Sequence, residues 1–134
     1  MSDDRFSVWL ERFGDVLTRA GEADAASLFS LTSEYHEAPF EPPIIGRAAI
    51  ALHLQELAAE REETEFHFEV IHFDSGTGWA SWNSGFTRKG LSSPVRQEGI
   101  LKALFDRDGF CREFRQWWNG LEPGQLSQMR DFDA

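Results

Sequence analysis

The chain has 134 residues, 41% of them hydrophobic, which suits one domain with its own apolar core. Its formal net charge of −10 argues against nucleic acid and anionic membrane surfaces as partners. Cys111 is the only cysteine, which excludes an internal disulfide and the cysteine-rich zinc motifs. The acidic N-terminus lacks a signal-peptide pattern and no apolar run approaches the about 20 residues of a membrane span, so we expect a cytoplasmic protein.

The N-terminal half has the 3.6-residue periodicity of helices. Over residues 5–20 apolar side chains recur at spacings of three and four, which predicts a first helix. These side chains are Phe6, Trp9, Leu10, Phe13, Val16 and Leu17. Residues 22–31 predict a second, shorter helix after a glycine stop, and residues 48–60 predict a third. In the third helix, Leu54 lies on the apolar stripe and His53 lies beside it.

Strand patterns occupy most of the remaining chain. Residues 32–37 predict a short strand, and the three prolines of residues 39–43 predict a fixed, extended loop. Residues 61–63 are charged and are predicted to be a solvated exit from the third helix. From Glu65 the period changes to two, and four strands follow as a meander up to residue 118. Three helices followed by such a meander predict an α+β fold, with a single domain over residues 1–119 and a mobile tail over residues 120–134.

The last two predicted strands flank the turn at residues 106–109, where Gly109 supplies a positive φ. If Phe105 lies opposite Phe110, the period of two divides the hairpin into two faces. One face then carries Leu101, Ala103, Phe105, Phe110, Arg112, Phe114 and Trp118. The other carries Ile100, Lys102, Leu104, Cys111, Glu113, Arg115 and Trp117. Neither face is polar, so we expect helices to cover the first and a partner to cover the second; the first face either belongs to a plain core or lines a cavity.

These features together resemble the nuclear transport factor 2-like superfamily, and within it the SnoaL-like and ketosteroid isomerase branches. The resemblance covers about residues 5–118. It rests on Phe13 in the first helix, on residues 37–47 (EAPFEPPIIGR) and on the final hairpin. It implies a cone in which a bent sheet wraps around the first and third helices and leaves an apolar pocket. It also implies a homodimer formed through the outer face of the sheet.

The ketosteroid isomerase branch carries out proton transfer with an acidic base and an oxyanion hole made of a tyrosine and a protonated aspartic acid. By resemblance, the first tyrosine corresponds to Phe13 and the general base to Ala38. The second aspartic acid corresponds to Leu101, and a supporting tyrosine to Leu54. All four residues are apolar here and can neither donate a hydrogen bond nor hold a proton, so that isomerase chemistry is not expected.

The ionisable residues that remain near the implied pocket are Glu37, His53 and Arg112. Glu37, one residue from the lost base position, would become a stronger base in an apolar pocket, or it is a carboxylate of the rim or the interface. His53 either shuttles protons near the pocket mouth or is simply packed with one hydrogen bond. Arg112, on the face of Trp118, either binds a substrate oxyanion or pairs with an acid.

The predicted pocket is otherwise apolar. Its expected walls and ligand contacts are Trp9, Phe13, Ala38, Leu54, Trp82, Asn83, Leu101, Arg112, Phe114 and Trp118. One of Trp82 and Asn83 should face the cavity, since neighbours on a strand point to opposite sides. The four histidines have no metal-binding spacing, so no metal and no cofactor are predicted.

Two functional hypotheses follow. In the first, the pocket binds a hydrophobic ring-containing or polyketide-like molecule, and Glu37 with His53 moves a proton in an isomerase, cyclase or dehydratase step. In the second, the chain is a non-catalytic ligand-binding or accessory dimerisation domain. Loss of the four family groups favours the second hypothesis, and the presence of Glu37, His53 and Arg112 favours the first, so the sequence leaves enzyme status open.

Overall fold

A computed structural model describes residues 2–19 and 24–122 of the chain. The elements in chain order are α1 (Asp3–Thr18), β1 (Phe29–His36), β2 (Ile44–Ile45), α2 (Arg47–Ala59), β3 (Arg61–Asp74), β4 (Thr77–Arg88), β5 (Pro94–Phe105) and β6 (Cys111–Leu121). Two helices packed on one curved sheet confirm the predicted α+β class. The predicted second helix is wrong, because only a short 3₁₀ turn forms at Ala25–Leu28 before β1 begins; residues 20–23 lie outside the described part of the chain.

The six strands form a single sheet in the order β2-β1-β6-β5-β4-β3. All neighbouring pairs are antiparallel except β1 and β6, which are parallel. This one parallel pair joins the first long strand to the last strand, so the end of β1 lies beside the first half of β6, with His36 opposite Arg115. Among the described residues, no helix is long and apolar enough to cross a membrane.

Helix α1 begins at a polar cap and buries one apolar stripe. The Ser2 side chain accepts a hydrogen bond from the Arg5 amide, and Asp3 and Asp4 place negative charge at the positive end of the helix dipole. The stripe lies against the inner face of the sheet, and Phe6 is fully buried there. Gly78 of β4 permits this approach, since a Cβ at that position would lie 2.5 Å from the Phe6 ring.

Aromatic rings fill the space between the helices and the sheet. Phe114 of β6 is at their centre: its ring centroid lies 4.7 Å from Tyr35, 5.1 Å from Phe13 and 6.2 Å from Trp9. Tyr35 and Phe114 are stacked within 4° of parallel. Most of the volume in which the sequence predicts a wide pocket is therefore occupied by side chains of the chain itself.

The register of the final hairpin differs from the predicted one at its tip. Phe105 pairs with Cys111 rather than with Phe110, and Leu104 pairs with Glu113, so Arg112 is the extra residue of a β-bulge. The bulge turns Cys111 into the core and leaves Arg112 exposed, which corrects both predicted positions. Beyond the bulge the alternation resumes as predicted.

Two strand boundaries also differ from the prediction. β3 already begins at Arg61, so residues 61–63 belong to a strand and not to a helix exit, although Glu62 and Glu63 are exposed as predicted. A register shift between Glu62 and Glu65 interrupts the alternation there, and this hides the strand from a period-two pattern. β6 continues to Leu121, so the first two residues of the predicted tail belong to the sheet; residues 123–134 lie outside the described part.

Candidate functional site

Glu37 follows directly after β1, and two side chains of β6 hold its backbone. The Glu37 carbonyl oxygen accepts hydrogen bonds from Gln116 Nε2 at 3.1 Å and from Trp118 Nε1 at 2.9 Å. The parallel pairing of β1 with β6 brings these donors into range. A carbonyl held by two donors fixes the local backbone, so the Glu37 side chain has a defined direction before the proline loop begins.

The Glu37 carboxylate contacts His53 of α2. His53 Nε2 lies 2.9 Å from Glu37 Oε2, and the two side chains are 26% and 21% exposed, respectively. The hydrogen bond to Glu37 raises the pKa of His53 above its ordinary value, although partial burial of the ring acts in the opposite direction. The pair can therefore exist as a charged imidazolium and carboxylate in a half-buried position.

Tyr35, the only tyrosine of the chain, acts on the same carboxylate. It is fully buried, and the Glu37 carboxylate is one of the groups that act on its hydroxyl. Burial, and then the nearby negative charge of Glu37, raise the pKa of Tyr35 well above its ordinary value. The phenol is therefore a neutral hydrogen-bond donor at physiological pH.

Arg61, the first residue of β3, supplies a second cation near Glu37. Its guanidinium carbon lies 3.9 Å from the centroid of the Phe86 ring, a cation–π contact. Partial burial lowers the pKa of Arg61, while the negative charge of Glu37 opposes that change. Because arginine remains charged at neutral pH even so, Glu37 and this positive charge border the same cavity.

A small cavity lies next to this cluster. Its lining residues are Phe13, Leu17, Tyr35, Glu37, Leu57, Arg61, Phe66, Trp82, Ser84, Gln97 and Gln116. The cavity volume is about 30 Å³, enough for one or two water molecules. One buried donor faces no partner among the described residues, the indole nitrogen Nε1 of Trp82.

The structure brings some of the predicted site residues together and separates others. Glu37 and His53 are in contact, and Phe13 and Trp82 border the same cavity as Glu37. Arg112 does not join them, because the bulge leaves it exposed. The sequence predicts that Arg112 supplies the positive charge of the site, and in the structure Arg61 supplies it.

Most of the predicted apolar wall belongs to the packed core instead of a cavity. The residues concerned are almost fully buried and do not border the space next to Glu37: Trp9, Leu54, Leu101 and Phe114. Trp9 also donates its Nε1–H to the Leu28 carbonyl oxygen at 3.0 Å. These four side chains contact one another or other core rings, so no ligand surface remains on them in this structure.

The other predicted contacts lie at the edge of the site. Ala38 is half-buried in the loop after Glu37 and does not border the cavity. Asn83 is exposed on the outer face of the sheet, whereas its neighbour Trp82 faces inward, which settles the alternative between the two. Asn83 and Trp118 border a separate groove of about 600 Å³, which Trp82 also borders.

Sequence interpretation missed Tyr35, Arg61 and Gln116 as members of the site. The period of two contains a signal for Tyr35, because residues 35 and 37 of one strand share a side. The sequence contains no such signal for Arg61. This residue lies near Glu37 because β3 begins before its period-two alternation becomes visible. In residues 2–19 and 24–122, no cluster of three or more histidine, cysteine, aspartate or glutamate side chains has the arrangement of a metal site.

The His53–Glu37 pair predicts a pH dependence of stability. A histidine whose pKa is raised by folding stabilises the folded state fully below its unfolded pKa of about 6.5, and this contribution is lost as the pH rises through the folded pKa. The charged groups that also act on His53 are Glu56 of its own helix and Arg61 of β3. We expect His53→Gln to lower the free energy of unfolding by about 1 kcal/mol more at pH 6 than at pH 9.

Urea unfolding at both pH values measures this difference. The matched control is His67→Gln, because His67 lies 3.9 Å from Glu65 with both side chains largely exposed, and we expect its effect to be small at either pH. An equal loss for His53→Gln at pH 6 and pH 9 would show that the ring acts only by packing.

Comparison with known proteins gives matches of structure alone. No family model and no curated protein matches the sequence. A "putative isomerase" from Bacillus subtilis superposes with a TM-score of 0.73 at 20% identity, covering 89% of this chain and 90% of that one. A "putative isomerase" from Rhodopseudomonas palustris gives a TM-score of 0.74 at 14% identity, covering 89% and 92%. An NTF2-like protein of unknown function from Exiguobacterium sp. 255-15 gives 0.68 at 16% identity, covering 83% and 98%.

Proposed function

The chain has the nuclear transport factor 2-like fold that its sequence predicts, and we propose that it is a small-molecule pocket protein in which Glu37 moves a proton on a hydrophobic, ring-containing carbonyl compound. The observation that supports this proposal most directly is the 2.9 Å contact between His53 and a Glu37 carboxylate that borders the interior cavity. A carboxylate held by a histidine, on a residue whose carbonyl oxygen accepts hydrogen bonds from two side chains, has the features of a general base.

The proposed reaction is a proton shift of the isomerase type. Glu37 removes a proton from the carbon next to the carbonyl group; the C–H electron pair forms a C=C bond, and the carbonyl oxygen becomes an enolate. The same carboxyl group then returns the proton to another carbon of the conjugated system, so the step needs no oxidant or reductant. His53 positions the carboxylate through its hydrogen bond. Its positive charge stabilises the ionised carboxylate before the proton is removed and again after it is returned.

The ligand must be small, or the cavity must open. Ligand pockets usually have 300–1,000 Å³, about ten times or more the roughly 30 Å³ next to Glu37. Leu17 and Leu57 border the cavity and are half-buried near the C-terminal ends of α1 and α2. If these two side chains moved apart, the cavity would admit a single ring. A polyketide-sized molecule would also require the stacked rings of the core to move, so we favour a monocyclic ligand.

A second candidate function is ligand binding without turnover, or a purely structural role as a dimerisation domain. The small cavity volume favours it, as does the absence of acid and phenol groups at Phe13, Ala38, Leu54 and Leu101. The two candidates differ in what they predict for Glu37. A general base contributes about 10²–10⁴-fold to a rate, whereas a structural carboxylate contributes nothing to proton exchange.

Exchange of ketone protons for deuterium tests the proposal. Cyclopentanone, cyclohexanone and cyclohex-3-en-1-one are incubated with the full chain in D₂O, and proton NMR follows the signals next to the carbonyl group. We expect protein-dependent exchange of at least one ketone, and a loss of about 100-fold or more in Glu37→Gln.

The matched control is Glu41→Gln, which removes an exposed carboxylate of the same loop and should leave the rate unchanged. Exchange that persists in Glu37→Gln would exclude Glu37 as the base. Absence of protein-dependent exchange for all three ketones would favour the binding function.

We also propose a homodimer through the outer face of the sheet. On that face Trp79 and Trp117 stack at 6.1 Å, and Ile100 lies opposite Trp117 across the strands. Lys102 lies 5.4 Å from the centroid of the Trp79 ring. A partly exposed aromatic pair of this size is unusual on a monomer and typical of an interface centre.

A further inference from the structure

Trp82 carries a buried hydrogen-bond donor that the folded chain does not use. The residue is 7% exposed, and its Nε1 has no hydrogen-bond partner within the described part of the chain. Leaving such a donor unpaired costs about 1–3 kcal/mol, so buried indole nitrogens normally find an acceptor. The indole nitrogens of Trp9 and Trp118 follow this rule, since both donate to backbone carbonyls.

The position of Trp82 connects this donor to the proposed base. Its indole lies against Phe66, with centroids 6.1 Å apart and planes 23° from parallel. Its cross-strand partner is Gly99, which has no side chain. The same cavity is bordered by Trp82, Glu37 and Arg61.

Some of the other polar groups of the cavity already have hydrogen-bond partners. Ser84 Oγ donates to the Glu65 carbonyl oxygen at 2.8 Å, and Gln116 Nε2 donates to the Glu37 carbonyl oxygen. Arg61 and Gln97 also border the cavity. Trp82 Nε1 is the fully buried donor that has no partner among the described residues.

We infer that Trp82 Nε1 binds the carbonyl oxygen of the ligand and is a specificity-determining residue of the site, an inference that rests on the proposed function. The ligand class is a neutral ketone or aldehyde. A carboxylate ligand would be repelled by Glu37, whereas a neutral carbonyl gains negative charge only as Glu37 removes the proton. The indole N–H and the nearby Arg61 charge then stabilise the oxygen at the moment when its charge develops.

The test uses the indole signals of the full chain labelled with ¹⁵N-tryptophan. Five tryptophans give five indole N–H signals, and the signal that disappears in Trp82→Phe is assigned to Trp82. The probes are cyclohexanone and methylenecyclohexane, which have similar shapes and differ in whether they carry an oxygen acceptor. We expect cyclohexanone to move the Trp82 proton signal downfield in a saturable titration, while the signals of Trp79 and Trp117 on the outer face stay in place.

The variant gives an independent measurement. We expect Trp82→Phe to weaken cyclohexanone binding by about 3- to 10-fold, the effect of one hydrogen bond to a neutral acceptor, and to leave methylenecyclohexane binding unchanged. If the variant fails to fold, sequential NMR assignment of the native chain identifies the Trp82 signal, and its titration decides alone. Equal responses of the Trp82 signal to both probes, or no response to either, would overturn the inference.

Failure of this inference and failure of the proposed function give different results. A Trp82 signal that responds to cyclohexanone without any Glu37-dependent proton exchange would support the carbonyl site and remove the catalytic function. Proton exchange that depends on Glu37, with a Trp82 signal that does not respond, would support the base and overturn the role of Trp82.

Discussion

Phe114→Ala is expected to lower the free energy of unfolding by about 3–5 kcal/mol, the usual effect of deleting a fully buried aromatic ring. Phe114 has no exposed surface, and its ring contacts Tyr35, Phe13 and Trp9. Each such aromatic pair adds about 0.5–1.5 kcal/mol beyond the area that it buries. Since a domain of this size is stable by only about 5–15 kcal/mol, the loss would remove a large part of the total.

Urea unfolding at a fixed protein concentration measures this loss, because any dimerisation would otherwise change the apparent stability. Phe110→Ala is the matched control: it makes the same deletion in the same hairpin, at a half-exposed ring whose described contact is Arg47 at 5.6 Å. We expect the control to cost about 1 kcal/mol or less. Similar losses for the two variants would contradict the observed register, because the predicted register places both rings on the inner face.

The same strand that supports the core also supports the site. Phe114, Gln116 and Trp118 alternate along β6 and all point inward. The first stacks on Tyr35, and the other two hold the carbonyl oxygen of Glu37. Because one strand positions both the phenol and the carboxylate, an error in its register would displace the whole site, and the packing of Phe114 is what prevents such a slip.

Hydrophobic alternation predicts most of the fold because it follows directly from the geometry of a strand with one buried face. Phe66, Phe68 and Val70 share the inward face, as a period of two requires, and Phe114 and Trp118 face inward as predicted. The helical stripe of α1 is equally direct, since its spacing places one side of the helix against the sheet. These features depend on local periodicity, which a sequence displays without any alignment.

The failures occur where a bulge changes the parity of a strand. One extra residue in β6, Arg112, reverses the facing of Cys111 and Arg112 relative to a regular hairpin. A similar shift in β3 between Val70 and His72 turns His72 outward and Phe73 inward. The packing of the whole hairpin determines where a bulge forms, so no local pattern in the sequence predicts it.

The site was predictable only in part for a related reason. Glu37 and His53 were identifiable as the ionisable residues nearest the implied pocket, and the structure places them in contact. The Arg61 charge comes from the far edge strand and reaches Glu37 only because the sheet curves around the helices. Cavity size was not predictable either, since it depends on how the aromatic rings pack against one another.

Trp117→Lys is expected to convert a homodimer into a monomer, with the dissociation constant raised at least about 30-fold. The outer face measures about 20 Å across five strands and about 35 Å along them. The area that these lengths enclose is close to the about 800 Å² that each partner of a stable complex buries. Trp117 is 39% exposed near its centre, and a buried tryptophan at an interface centre often contributes 2 kcal/mol or more. The face also carries both signs of charge, with Lys102 and Arg115 near Glu113, as a self-complementary interface requires.

The substituted lysine would lie beside Lys102 and Arg115, and two-fold symmetry would bring a second such cluster opposite it, so repulsion adds to the lost contact. Sedimentation velocity from about 1 to 100 µM measures the change. Leu91→Glu is the control, since Leu91 is an exposed apolar residue in the connection between β4 and β5, away from this face. A native chain that sediments as a monomer throughout, or a Trp117→Lys variant that remains a dimer, would show that the Trp79–Trp117 stack is not an interface.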